Sequence, residues 1–147
     1  MRHIITTSLA LIFLMLAGAA SAGDCLRLCD DKFWKTRPTL DEVKAEVTRG
    51  ADLSKSDAFG ETPLHHAAFY SRPEIILFLV ERGARLEAGT VDISSGIGDR
   101  TPLHYAVHLS GRKAENAVAL IQAGANVNAR DNSGHTPLML AVEEQHI

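Results

Sequence analysis

Between Pro73 and Arg82 apolar side chains return at Ile75, Ile76, Leu79 and Val80, and between Ala114 and Ala123 at Ala117, Val118, Leu120 and Ile121. Steps of one, three and four residues trace the stripe of an amphipathic helix, so each segment predicts a helix with one face turned to a core. Leu40–Val47 reads as a third such helix with more charge on it. Gly50, Gly83 and Gly124 stand where these helices should stop, since glycine enters the left-handed turn that ends a helix without a Cβ clash.

A second kind of segment precedes two of these helices. Thr62-Pro63-Leu64-His65-His66-Ala67-Ala68 returns as Thr101-Pro102-Leu103-His104-Tyr105-Ala106-Val107 and again as Thr136-Pro137-Leu138-Met139-Leu140-Ala141-Val142. Each threonine can N-cap a helix through its hydroxyl, and Pro63, Pro102 and Pro137 then occupy the first helical position, where a missing N–H costs nothing. Leu64, Leu103 and Leu138 are expected to point inward, with Ala67, Ala68 and Ala106 keeping the helices thin enough to stack closely. Asp57-Ala58-Phe59-Gly60 and Asp131-Asn132-Ser133-Gly134 carry the residues of tight turns at the tips of hairpin loops.

The spacing joins these pieces into one unit. It is 21 residues from Thr62 to Gly83 and 12 from Gly124 to Thr136, which makes a period of 33. The copy from Thr101 has two further residues near Gly111-Arg112, and six more lie within Ala88–Asp99. A period near 33 with a Thr-Pro-Leu-His start resembles the ankyrin-repeat family. The resemblance covers residues 29–147 and implies an all-α solenoid of helix-turn-helix units joined by hairpin loops. Residues 29–59 form a degraded N-terminal cap unit, in which Cys29-Asp30-Asp31-Lys32 replaces Thr-Pro-Leu-His and Phe33 and Trp34 lie on the first helix. Residues 60–98 and 99–133 are repeats, and 134–147 is a partial one.

The resemblance also gives His65 and His104 a structural role: they hydrogen-bond near the helix start and tie neighbouring units together. Met139 replaces them in the third copy. A metal reading of the histidines has one argument for it, since His104 and His108 are four apart and would share a helix face, with His66 as a third histidine expected nearby. Tyr105, however, stands where a zinc-protease pattern needs glutamate, and no carboxylate or cysteine sits at ligand spacing along the chain. No metal or cofactor is therefore expected. Ser94-Ser95-Gly96-Ile97-Gly98 lacks the Gly-Lys-Ser/Thr ending of a phosphate loop and reads as a lengthened hairpin loop. Asp99 stands there where the other copies have glycine.

The chain begins with Met1-Arg2-His3, an uncharged apolar run and Ala20-Ser21-Ala22, the layout of a secretory leader cut after residue 22. Thr6, Thr7 and Ser8 weaken the rival reading as a membrane anchor, and Asp24 argues against lipidation of Cys25. Gly23 to Leu28 would be a lead-in, and the product would be exported, periplasmic in a bacterium and otherwise secreted. Cys25 and Cys29 are then expected to pair, if Cys29 sits at a helix start. Removing 22 of 147 residues, Arg2 among them, leaves 14 basic against 18 acidic residues and a formal charge of −4. That balance offers nothing to nucleic acid. No membrane span remains after cleavage.

The resulting expectation is a non-enzymatic module that binds a protein partner through the concave side of the stack, where hairpin tips and first helices lie. Phe59, Glu61, Arg100, Asn132 and His135 flank the tips, and Phe69 and Tyr70 extend the helical part of that face. The alternatives are a periplasmic redox- or metal-handling protein using Cys25/Cys29 or the histidines, and a stress-protective scaffold. The chain stops at Ile147 after one helix of its last unit, so Leu138, Leu140 and Val142 are expected to be less covered than their counterparts.

Overall fold

The local signals read above determine the helices almost residue for residue. The computed structural model describes residues 24–91, 96–108 and 114–144. The leader through residue 22, the Ser94-Ser95 pair, Gly111-Arg112 and Ile147 lie outside the described residues. A 3-10 turn, Leu26–Cys29, leads into seven described helices: α1 Asp31–Lys35, α2 Leu40–Thr48, α3 Pro63–Tyr70, α4 Pro73–Glu81, α5 Pro102–Val107, α6 Ala114–Gln122 and α7 Pro137–Glu144. No described helix is long and apolar enough to cross a membrane.

The first helices of the units, α1, α3, α5 and α7, pack in sequence, and so do the second helices α2, α4 and α6. The architecture is an all-α solenoid of helix-turn-helix pairs. Leu64, Ile75, Ile76, Leu79, Leu103 and Leu120 fill its core, and Ala67, Ala68 and Ala106 are buried where the first helices approach one another. Gly50, Gly83 and Gly124 all have φ between +92° and +99°. After each, the next N–H reaches back to close the helix end: Ala51 to Glu46, Ala84 to Leu79 and Ala125 to Leu120.

The cap unit differs from its expected register by one residue. Asp30, not Cys29, caps α1, its carboxylate accepting from the Lys32 N–H at 2.9 Å. An ionised carboxylate is the better acceptor at a helix start, which draws the cap one step along the chain. Cys29 closes the 3-10 turn instead, with its sulfur 2.03 Å from that of Cys25. The lead-in is part of the fold, because Leu28 of that turn is fully buried and the turn packs on α1, α2 and α3. In α2, Thr39 and Glu42 form a reciprocal capping box, and buried Glu46 is satisfied by Arg49 at 2.8 Å and Arg27 at 3.6 Å.

Of the three apolar residues expected to be less covered near the end of the chain, Leu138 and Val142 are so. Leu138 is 71% exposed, where Leu64 and Leu103 are buried, and Val118 and Ile121 are about half exposed. Leu140, expected to be poorly covered, is buried. A helix in this stack has one face on the unit before and one on the unit after. Leu140 lies on a buried face of α7, whereas Val118 takes the place of Leu77 on α4, which is exposed as well, so that position belongs to the outer face of the second helix. On α6 the core positions are Asn116, Ala117, Ala119 and Leu120. The Asn116 amide donates to the carbonyls of Ala68 and Ser71, both at 3.1 Å, so the buried polar group is paired.

Candidate functional site

The hairpin loops set up the site. In the first, one Asp57 carboxylate oxygen accepts from the N–H groups of Phe59 and Glu61, both at 2.9 Å, while the Gly60 N–H donates to the Asp57 carbonyl. Gly60 has φ +77°, and a Cβ there would meet the Val91 nitrogen at 2.7 Å, so the turn needs glycine. Asp131 repeats the arrangement, accepting from Ser133 at 3.0 Å and His135 at 2.8 Å. Burial pushes the Asp131 carboxyl up, but these two N–H groups and Arg100 outweigh it and hold it below the usual value. In the lengthened middle loop Thr90 and Asp99 take the parts of Asp57 and Gly60. The Asp99 N–H donates to the Thr90 carbonyl, the Arg100 N–H to the Thr90 hydroxyl, and Asp99 itself adopts φ +56°. The six extra residues therefore lie between Thr90 and Asp99, and register is kept on both sides. Adjacent tips are joined by Val91 N–H to the Phe59 carbonyl and Asn132 N–H to the Gly98 carbonyl.

Two buried imidazoles bind successive units. The Thr62 N–H donates to His65 Nδ1 at 3.1 Å, and His65 Nε2 lies 2.9 Å from the Arg100 carbonyl of the next unit. A carbonyl can only accept, so Nε2 carries the proton and Nδ1 is left as the acceptor that caps α3. Thr101 and His104 repeat this, with His104 Nε2 3.1 Å from the His135 carbonyl. Both rings work only when neutral. Burial pushes the His65 pKa down to about 4 and lowers that of His104 as well.

His66 behaves differently. It is 1% exposed, lies beneath Trp34 with the rings nearly parallel, and faces a groove of about 380 Å3. The hairpin contributes Asp57, Phe59 and Glu61 to this groove, α1 contributes Asp31, α3 adds Phe69 and Tyr70, and α5 adds Tyr105. The Tyr105 hydroxyl donates to one Glu61 oxygen across 44 residues of sequence. Burial, reinforced by that carboxylate, keeps the phenol well above the usual tyrosine range. Tyr70 is pushed up to about 12 by burial and by its hydrogen bond to Asp31. Asp31 is held low by Lys35 and Tyr70.

A family model for ankyrin repeats in three copies matches residues 88–147, and a model for a single ankyrin repeat matches residues 59–88. The chain belongs to the ankyrin-repeat family. Rabankyrin-5 of Mus musculus is 32% identical over 105 residues, which cover 65% of this chain and 9% of that protein. Palmitoyltransferase Hip14 of Drosophila melanogaster is 37% identical over 92 residues, 63% of this chain and 13% of the relative. Neurogenic locus notch homolog protein 4 of Homo sapiens is 42% identical over 82 residues, 56% of this chain and 4% of the relative. The chain thus matches only a small part of much longer proteins, whose named activities are those of the whole molecules. Ankyrin stacks are protein-interaction modules.

Of the residues singled out for partner binding in this ankyrin domain, Phe59, Glu61, Phe69 and Tyr70 meet in the groove. Arg100 does not join them. It pairs with Asp131 at 3.4 Å and lines a neighbouring depression of about 150 Å3 with Phe69, Tyr105 and His108. Asn132 is exposed on its tip, and His135 lies 3.6 Å from both Asp131 and Glu143. Sequence reading left out Asp31, Asp57 and His66 as groove residues. It also found no carboxylate at ligand spacing beside the histidines, yet Asp57 and Glu61 each lie 3.5 Å from His66. The hairpin folds back over α3, so residues nine and five positions away in the chain become neighbours. The two neighbouring copies give the signal that could have exposed this: His66 is polar where the second and third have Tyr105 and Leu140 after the histidine or methionine.

Proposed function

We propose that this ankyrin domain is a non-enzymatic, exported interaction module that docks a protein partner in the groove between hairpin tips and first helices. The observation that carries the reading is the meeting of Phe59, Phe69, Tyr70 and Tyr105, from one loop and two helices, around a single opening. A stacked core does not require them there: Phe59 is 58% exposed at the first tip, and Phe69 and Tyr70 are partly exposed. Aromatic side chains are the usual anchors of protein interfaces, because they bury much area at little cost in rotamer entropy. Export is supported by the leader pattern and by the disulfide-distance pair Cys25 and Cys29, which suits an oxidising compartment.

Photo-crosslinking in the native host tests both parts. A photoreactive phenylalanine analogue at position 59 should give a discrete crosslinked species, while the same analogue at exposed Glu74 on α4 should give none. The recovered chain should begin at Gly23. Equal crosslinking from both positions would remove the groove reading, and an intact Met1 would remove export.

A further inference from the structure

The inner wall of the groove holds a group of side chains that protein docking leaves unexplained. Nε2 of His66 is buried and has no hydrogen-bond partner. Buried imidazole nitrogens are nearly always paired, and an orphan signals a missing water or ion. The atoms around it are carboxylate oxygens. Asp57 Oδ2 lies 3.5 Å from His66 Nε2, and Glu61 Oε2 lies 3.5 Å from Nδ1. One ring nitrogen and one oxygen from each carboxylate fall within 4.8 Å of one another.

Each carboxylate is also held by its other oxygen. Asp57 Oδ1 is fixed by the N–H groups of Phe59 and Glu61, and Glu61 Oε1 by the Tyr105 hydroxyl. The remaining oxygens, Oδ2 and Oε2, are those turned to the ring. Supporting contacts of this kind orient ligands before an ion arrives. Among the described residues, His66 is the ion-pair partner of both carboxylates, so with a neutral ring their two negative charges are uncompensated.

We propose that His66 Nε2, Asp57 and Glu61 form a binding site for a divalent transition-metal ion, zinc foremost, open to the groove on its remaining positions. Ligands about 2.0–2.2 Å from a tetrahedral ion sit roughly 3.4 Å apart, close to the 3.5 Å between His66 Nε2 and Asp57 Oδ2, while Glu61 Oε2, which lies 3.5 Å from Nδ1, completes a set of one ligand atom per residue within 4.8 Å. A neutral imidazole with two carboxylates balances a 2+ charge. An imidazole ligand favours zinc over magnesium or calcium, which prefer all-oxygen shells. The site differs from the His104–His108 arrangement considered along the sequence, because His104 has both ring nitrogens engaged within the stack.

Isothermal titration of the full chain with zinc chloride at pH 7.5, without reductant, tests the proposal. One zinc ion per chain should bind. Asp57→Asn and Glu61→Gln should each weaken it at least tenfold, and His66→Asn at least thirtyfold. Asp57→Asn keeps the turn acceptor Oδ1, so it reports on the site even if His66→Asn folds poorly. His135→Asn should leave the titration unchanged, since His135, Asp131 and Glu143 form a separate cluster. The proposal is overturned by absent or non-saturable binding, by binding indifferent to the first three substitutions, or by loss of binding in His135→Asn. The titration needs no partner, so it fails or succeeds independently of the docking reading.

Discussion

Replacing Trp34 with alanine lowers the unfolding free energy by about 3–5 kcal/mol, the range for emptying a buried aromatic site. Trp34 is fully buried between the cap unit and the first repeat. Its ring stands edge-on to Phe33 at 5.5 Å and lies parallel to His66 at 6.5 Å, and its Nε1–H donates to the buried Leu28 carbonyl at 2.8 Å. Alanine removes the packing and leaves that carbonyl unpaired. Against a domain stability of about 5–15 kcal/mol, this brings the cap close to detachment. Trp34→Phe keeps most of the ring and loses the donor, with an expected cost of about 1–3 kcal/mol. Trp34 is the only tryptophan, so urea unfolding should be followed by far-UV circular dichroism. A loss below about 1 kcal/mol for the alanine variant would show that the cap is not coupled to the repeats through this side chain.

Acidification from pH 6.5 to pH 4 costs the fold about 3 kcal/mol through His65 alone. Burial holds the folded ring at about 4 against its ordinary 6.5. The unfolded chain therefore binds more protons than the folded one across that interval, and stability falls as pH drops through it. His104, also lowered by burial, acts in the same direction. Asp31 and Asp131 are held below 3.8, so their contributions are lost only at still lower pH and the two windows separate. His65→Gln provides the control. Glutamine at this position can still reach the Thr62 N–H in an ordinary capping box, but it has no proton to gain. At pH 7.5 the variant is less stable by about 1–2 kcal/mol for the lost bond to the Arg100 carbonyl. Its urea midpoint then changes less than that of the wild type between pH 6.5 and 4. Parallel midpoint curves for the two proteins would refute the assignment.

Helix starts were legible because their causes are local. Thr62-Pro63 and Thr101-Pro102 place a cap and a proline at adjacent positions, and α3 and α5 begin at those prolines. The stops at Gly50, Gly83 and Gly124 needed only a residue at ease with positive φ. The cap unit was read one residue early because Cys29 and Asp30 compete for one role, and Cys29 is taken up in the 3-10 turn while the stronger acceptor Asp30 caps the helix. The middle loop was harder still: Thr90 and Asp99 replace the usual aspartate and glycine, and only the hydrogen bonds to Asp99 and Arg100 reveal the correspondence.

The groove was only partly legible. Phe59 and Glu61 could be placed at a tip from turn chemistry, and Phe69 and Tyr70 at the end of a helix from the repeat. Nothing within one unit shows that Asp57 and Glu61 close on either side of His66, or that Tyr105 crosses from the next unit to hold Glu61.

The amino-acid sequence by itself determined the period, the helix boundaries and the family, since each depends on caps, glycines and apolar spacing within a few residues. Tertiary structure alone decided which apolar faces are covered and which side chains share the groove. Leu138 takes the place of buried Leu64 and Leu103 in its repeat and is nevertheless exposed, because coverage depends on packing between units. Asp57, Glu61, His66 and Tyr105 meet for the same reason: stacking sets distances between units that local chain geometry does not encode.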